Sequence, residues 1–129
     1  MSNFKEKVMQ VVRLVPFGNV VSYGQVAAYV GVPRGARHVG WILRGIENNV
    51  DLPWWRVVNN TGRISIDGNL HSDKHLQRKL LEAEGIEVLE NFKLDIKKYR
   101  FIPQTIVLKK LQLKREYIQM LQDKYFQVE

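Results

Sequence analysis

Between Ser22 and Gly45 the chain reads SYGQVAAYVGVPRGARHVGWILRG, and this stretch restricts the possible folds more than any other. Ser22 followed by Gln25 three residues on is a capping-box pattern, so a helix is predicted to start there. Val26, Ala27 and Val30 give that helix one apolar side. Gly31 closes it, and Pro33 blocks its continuation. A second helix is predicted from about Arg34, with Val39, Ile42, Leu43 and Ile46 at 3.6-residue spacing. Helices this short depend on packing their apolar faces for stability. Joined by a tight Gly-Val-Pro turn, the two fit a helix-turn-helix.

The flanking segments extend that unit. Phe4, Val8, Val11, Val12 and Val15 predict a preceding helix, ended by Pro16 and Gly18. Val57-Val58 and Arg63-Ile64-Ser65-Ile66 flank an Asn-Asn-Thr-Gly turn and predict a short β-hairpin. Leu70 to Glu84 is predicted helical, with Leu76, Leu80 and Leu81 inward and Gly85 past its end. A helix-turn-helix followed by a hairpin makes a winged helix-turn-helix. The expected fold is thus mainly α with a small β-hairpin, occupying residues 1–90. Residues 91–129 form a C-terminal extension, in which KLDIKKYRF alternates and Ile106 to Phe126 can form a helix with Leu111, Ile118, Leu121 and Tyr125 on one side.

Composition narrows the function. The chain has 129 residues, no cysteine and a net charge of +7. Disulfides, thiolate metal sites and a cysteine nucleophile are excluded. No apolar run approaches the ~18 residues a membrane span needs, and MSNFKEKV lacks a signal-peptide core. A cytoplasmic protein, nucleoid-associated when bound to DNA, is expected. The extension is basic: residues 91–129 hold nine Lys and Arg against four Asp and Glu. Between Arg34 and Arg63, by contrast, there is no lysine; Arg34, Arg37, Arg44, Arg56 and Arg63 carry the charge. Arginine suits forked phosphate contacts and stacking on bases, although a basic balance alone is a weak pointer to a polyanion.

Three stretches together carry a family resemblance: VPFGNVVSYGQVAAYVGVPRGARHVGWILRG, LPWWRVVNNTGRIS and LLEAEGIEV. In this order they resemble the DNA-binding domain of the O6-alkylguanine-DNA alkyltransferases, over roughly Phe4 to Val88. In that family the active-site motif is Pro-Cys-His-Arg, and the cysteine takes the alkyl group from the damaged base. Here the same positions are Pro53, Trp54, Trp55 and Arg56. The pattern is similar to the alkyltransferase-like branch, which keeps the DNA-binding domain and carries tryptophan or alanine at the cysteine position. That branch usually retains the histidine, and this chain does not.

The substitution removes the chemistry. Alkyl transfer needs a thiolate activated by a neighbouring base. An indole nitrogen is only a donor and cannot replace it. No catalytic residue, metal or cofactor is therefore expected. What the resemblance implies is a pocket for a base rotated out of the duplex, since the altered atom of guanine is unreachable inside the stack. Trp54 would wall that pocket with Pro53, Tyr23 and Arg56. Trp55 either extends the wall or fills the core behind it. Glu84 matches the glutamate that orients the family's histidine, with a structural role and no role both open.

The resemblance also places the flipping parts. Arg37 matches the arginine finger at the start of the second helix, which in this family enters the minor groove. Its guanidinium can fill the gap left by the base. Gly35, Ala36 and Gly40 are small and allow close approach, with Arg34 beside them. Tyr23 matches the tyrosine that rotates the phosphate of the flipped nucleotide. Arg44 contacts phosphate or lies idle on the surface. Trp41 stands where the family commonly has a small residue; it is expected to pack inward, the alternative being a second wedge in the groove. Ile46 replaces an asparagine common near the pocket.

Other features are less specific. His71 and His75 are four apart with Asp67 and Asp73 nearby, yet solvated helix residues are the expected reading rather than a metal site. His38 faces DNA or nothing. KLDIKKYRF resembles the short C-terminal segment of the alkyltransferase-like branch. The segment after Pro103 goes beyond the family core and packs on the domain, binds a partner or tracks phosphate, packing being favoured. The partner implied is duplex DNA containing alkylated guanine, bound by a monomer that flags the lesion for nucleotide excision repair proteins. The rivals are a base-modifying enzyme, which lacks an acid-base pair, and a sequence-specific winged-helix regulator, which needs several polar side chains on the second helix.

Overall fold

A computed structural model describes residues 3–46, 51–64 and 74–125. The first helix, α1 (Phe4–Leu14), is capped by the Asn3 side chain and buries Val8, Val11 and Val12. Strand β1 (Val21–Ser22) runs directly into α2 (Tyr23–Tyr29). The capping box forms as expected: Ser22 Oγ accepts from the Gln25 N–H, and Gln25 Oε1 accepts from the Ser22 N–H, both at 3.0 Å. Gly31, at φ +87°, turns the chain out of α2. Helix α3 (Ala36–Arg44) packs across α2 and completes the helix-turn-helix.

The sheet differs from the hairpin expected. Strand β2 (Val57–Val58) pairs in parallel with β1, Val21 opposite Val57 and Ser22 opposite Val58. Arg63 instead forms an antiparallel bridge with Lys93, and Ile64 N–H donates to the Phe92 carbonyl. The Asn-Asn-Thr-Gly turn is present: Asn59 Oδ1 accepts from Thr61 N–H, Thr61 Oγ1 and Arg63 N–H. One backbone bond closes it, Asn59 N–H donating to the Arg63 carbonyl at 3.2 Å, and beyond that bond the two arms find different partners. Gly62 explains part of this. It sits at φ +86° against Leu94, where a Cβ would come within 2.2 Å of the Leu94 carbonyl oxygen, so the turn is pinned to the chain beyond residue 90. Ser65 and Ile66 lie outside the described residues.

The parallel ribbon separates two apolar clusters. Val21 and Val57 face the first, with α1, α2 and α3. Val20 and Val58 face the second, with Leu81, Ile86, Val88, Leu94 and Ile96. Successive residues of a strand point to opposite faces, so two residues per strand suffice to serve both. Helix α4 (Lys74–Ala83) bounds the second cluster. Leu81 is buried there and Leu80 partly so, but Leu76 is exposed and Gln77 takes the inward place expected of it.

The alternating segment after Lys93 forms a short helix, α5 (Ile96–Tyr99), not a strand. The expected long C-terminal helix is two: α6 (Thr105–Lys110) and α7 (Arg115–Tyr125), broken where Gln112 takes φ 64°. The break lets Leu108 of one and Ile118 and Leu121 of the other reach the first cluster. Tyr117 donates to the Ala28 carbonyl, tying α7 to α2. None of the described helices is long and apolar enough to cross a membrane.

Candidate nucleic-acid interface

Two regions hold the residues singled out above. The first is a cleft of about 1250 Å³ at the helix-turn-helix, lined by Tyr23, Ala36, Arg37, Gly40 and Arg44 among others. That is larger than the ~300–1,000 Å³ of a usual small-molecule pocket. Tyr23 opens α2 and its ring lies over Gly40 of α3, where a Cβ would meet the ring at 3.9 Å. Burial pushes the Tyr23 phenol up to about 12, against the opposing charge of Arg44. The phenol therefore stays protonated and can donate a hydrogen bond to an anionic oxygen. Arg37 and Arg44 are exposed, and α3 carries them one face apart from the buried Val39 and Leu43.

Several residues in and beside α3 stand elsewhere. Gly35 is buried, and a Cβ on it would press on Val32 at 3.1 Å, so its small size serves the turn. Arg34 is exposed outside the cleft lining. Trp41 corrects the inward expectation, being 72% exposed. The reason is geometric: with Val39 and Leu43 inward, a residue two positions from each lies about 200° away around the helix. Ile46 is buried in the first cluster. His38 stacks on Phe4, ring centroids 4.5 Å apart.

The second region is the double-tryptophan segment. Pro53 leads a single 3-10 turn, Trp54–Arg56, between buried Leu52 and buried Val57. Trp54 and Trp55 meet edge to face, centroids 5.9 Å apart, and both are partly exposed. Neither lines the cleft described above. Trp55 turns its indole N–H to Glu84 Oε2 at 2.6 Å. Arg56 Nε donates to both Glu84 oxygens at 3.0 Å, and its Nη1 donates to the Val15 carbonyl at 2.9 Å. The Gly18 N–H closes the set, donating to Glu84 Oε1 at 2.7 Å.

Glu84 is thus structural. Its side chain is only 4% exposed. Burial favours the neutral acid, but the hydrogen bonds from Arg56, Gly18 and Trp55 and the Arg56 charge outweigh that, and the pKa lies below its ordinary value. One carboxylate ties the end of α1, the 3-10 turn and the end of α4 together. Arg56 is fully engaged in this tie.

Other side chains contribute that no sequence pattern assigned to the site. Gln77 is fully buried and donates to the carbonyls of Trp55 and Val57 at 3.0 Å, supporting the turn from behind. Its spacing of four from Leu81 was the available signal. Phe17 is 68% exposed, with the Arg56 guanidinium 5.9 Å from its ring centre. Lys97, Arg100, Lys124 and Tyr125 join the cleft from the C-terminal extension, for which no local pattern exists. Asp67, His71 and Asp73 lie outside the described residues; among those described, no cluster could hold a metal ion.

The comparisons with known proteins agree with this geometry. Residues 3–86 match the model of the 6-O-methylguanine DNA methyltransferase DNA-binding domain. The chain belongs to this family. Within it, a DNA base-flipping protein of Vibrio parahaemolyticus is 41% identical over 103 residues, which are 80% of this chain and 100% of that protein. Alkyltransferase-like protein 1 of Schizosaccharomyces pombe is 36% identical over 107 residues, 80% of this chain and 98% of that one. The crystal structure of S. pombe Atl1 in complex with damaged DNA containing O6-carboxymethylguanine superposes with a TM-score of 0.72 at 34% identity, covering 80% of this chain and 100% of that chain. The match to the domain model ends at residue 86, before α5, α6 and α7, while the relatives align over 103 and 107 residues and so extend past it.

Proposed function

We propose that the protein binds duplex DNA containing O6-alkylguanine, rotates the altered base out of the stack and holds it without removing the alkyl group. One observation carries this reading. A chain of the methyltransferase family has Trp54 at the nucleophile position and no cysteine anywhere, yet keeps Tyr23, Ala36, Arg37, Gly40 and Arg44 together in one cleft. Arg37 enters the minor groove and occupies the place of the extruded base. Tyr23, held neutral, donates to the phosphate of the turned nucleotide. Trp54 offers an apolar, partly exposed ring toward the alkyl group. An O6-alkyl group removes the Watson–Crick proton of guanine, weakening the pair and lowering the cost of extrusion.

With no group to cleave the bond, the lesion persists in the complex. The bound protein then marks it for nucleotide excision repair, acting as a monomer in the cytoplasm and on the nucleoid. The names of the relatives support the reading, one being a DNA base-flipping protein and another an alkyltransferase-like protein.

The deciding experiment uses a duplex with a labelled O6-methyl group on one guanine. The protein retards this duplex more strongly than its unmodified twin and the label stays on the DNA. Label transferred to the protein overturns the reading, and so does equal affinity for the two duplexes.

A further inference from the structure

The cleft has a second group of lining residues that lies beyond the residues matched by the family's domain model. Lys97, Arg100, Lys124 and Tyr125 contribute to the same concavity as Tyr23, Arg37 and Arg44. We infer that α7 is part of the nucleic-acid surface, with Lys124 and the neighbouring Arg100 contacting phosphates of the duplex that α2 and α3 engage. This rests on the duplex-binding reading above and adds a set of contacts to it.

The position of α7 is fixed rather than trailing. Ile118 and Leu121 are buried in the first cluster, and Tyr117 donates to the Ala28 carbonyl of α2. Tyr125 packs edge-on against Tyr29, centroids 6.4 Å apart. Its hydroxyl would lie 3.7 Å from a Cβ on Gly24, the residue next to Tyr23. The last turn of α7 therefore ends at the first turn of α2, where the phosphate-turning tyrosine sits. Tyr125 also gathers the cations: the Arg100 guanidinium is 5.6 Å and the Lys124 ammonium 5.3 Å from its ring centre.

Packing explains Ile118 and Leu121 but not the charge. Among the described residues the cleft is lined by five cationic side chains, Arg37, Arg44, Lys97, Arg100 and Lys124, and by no carboxylate. Among the described residues, too, none of the five forms an ion pair. Like charges brought together without carboxylate partners repel, and the arrangement suits a polyanion that neutralises them. Lys124 is exposed, yet its helix is already ordered, so a phosphate contact there orders only the side chain and no further backbone.

The test is a salt series with the full-length chain. Binding to one duplex, unmodified and with a single O6-methylguanine, is measured by fluorescence anisotropy for wild type, Lys124→Gln, the Lys124→Gln/Arg100→Gln pair and Arg37→Ala. Removing one phosphate contact makes the negative slope of log K against log salt less steep by about 0.9, so the single variant flattens by about 0.9 and the pair by about 1.8. Both duplexes weaken by the same factor, leaving lesion preference intact. Lys79→Gln, an exposed change on α4 away from the cleft, leaves the slope as it was. Lys124 is solvent-facing, so the single variant reports even if the pair is poorly folded. An unchanged slope or tighter binding in Lys124→Gln, with Arg37→Ala still weakened, overturns the α7 contact alone. Wild type that binds neither duplex overturns the duplex-binding reading and this inference together.

Discussion

The indole N–H of Trp55 donates to Glu84 across 29 residues of sequence at 2.6 Å. A tryptophan here makes the contact to the carboxylate that the family resemblance assigns to a histidine, and it fixes the ring in place. Trp55→Phe keeps the ring and removes the donor. A hydrogen bond to a charged group is worth ~1.5–3 kcal/mol, so urea unfolding shows a loss of that order. An unchanged midpoint means that Arg56 and Gly18 alone hold Glu84.

Glu84→Gln goes further, because it leaves the Arg56 guanidinium, itself largely buried, without its counter-charge. Breaking one side of a buried pair costs about 3–5 kcal/mol, and partial exposure of Arg56 places the expectation at the low end. The pH dependence follows from the lowered pKa. The folded carboxyl holds its proton less tightly than the unfolded one, so its stabilisation is complete above the ordinary value of 4.5 and fades as pH falls through the lower folded value. Glu84→Gln shows a shallower loss of stability with acid than wild type. Parallel acid profiles would contradict the assignment.

Tyr23 is pushed up to about 12 by burial. Its donor proton is therefore retained past pH ~10, where an ordinary phenol ionises. Tyr23→Phe weakens lesion binding and reduces the unstacking signal of a fluorescent base analogue beside the lesion. The difference between wild type and Tyr23→Phe stays constant up to pH ~10. A difference that shrinks below that pH places the phenol in an exposed setting.

Trp54→Ala separates lesion recognition from general affinity. Stacking of an aromatic side chain on a base is worth ~1–3 kcal/mol, so preference for alkylated over normal guanine falls on the order of five- to a hundredfold. The salt slope hardly moves, since every phosphate contact is kept. Trp54→Cys restores a thiol but leaves Trp55 in place of an activating base, and yields no transfer of labelled methyl. An equal drop in affinity for damaged and undamaged duplex makes Trp54 a general contact.

Gly62→Ala tests the turn. A Cβ would approach the Leu94 carbonyl oxygen to 2.2 Å, at a positive φ that disfavours side chains. Backbone strain of this kind costs about 1–3 kcal/mol before the clash is counted, so the variant unfolds at markedly lower urea or fails to accumulate.

What was legible in the sequence was local. The Ser22–Gln25 box, the Gly31 stop and the faces of α1 and α2 depend on residues within one or two turns, and each appears where the spacing put it. Trp41 was legible in principle: Val39, Leu43 and Ile46 fix the inward face and exclude it, but the general habit of aromatic residues to pack inward prevailed. Strand pairing was not legible. Val57-Val58 reads as extended whichever neighbour it takes, and the neighbour is chosen by β1, 36 residues earlier by the Val21–Val57 register. The break at Gln112 carries no glycine or proline, so only the pull of the first cluster on both halves accounts for it. The cleft wall from α5 and α7 could not be read from any stretch, because its members are brought to Tyr23 by tertiary packing alone.

The 3-10 turn that carries Trp54 is gripped on both sides. Leu52 and Val57 are sunk in one apolar cluster, Val58 in the other, and Glu84 and Gln77 hold its middle from behind. Trp54 itself needs none of these holds. Such a turn is a socket whose occupant can be exchanged while the housing stays as it was. A change of side chain at Trp54 therefore alters what the turn presents to solvent without touching the Glu84 and Gln77 bonds that hold it.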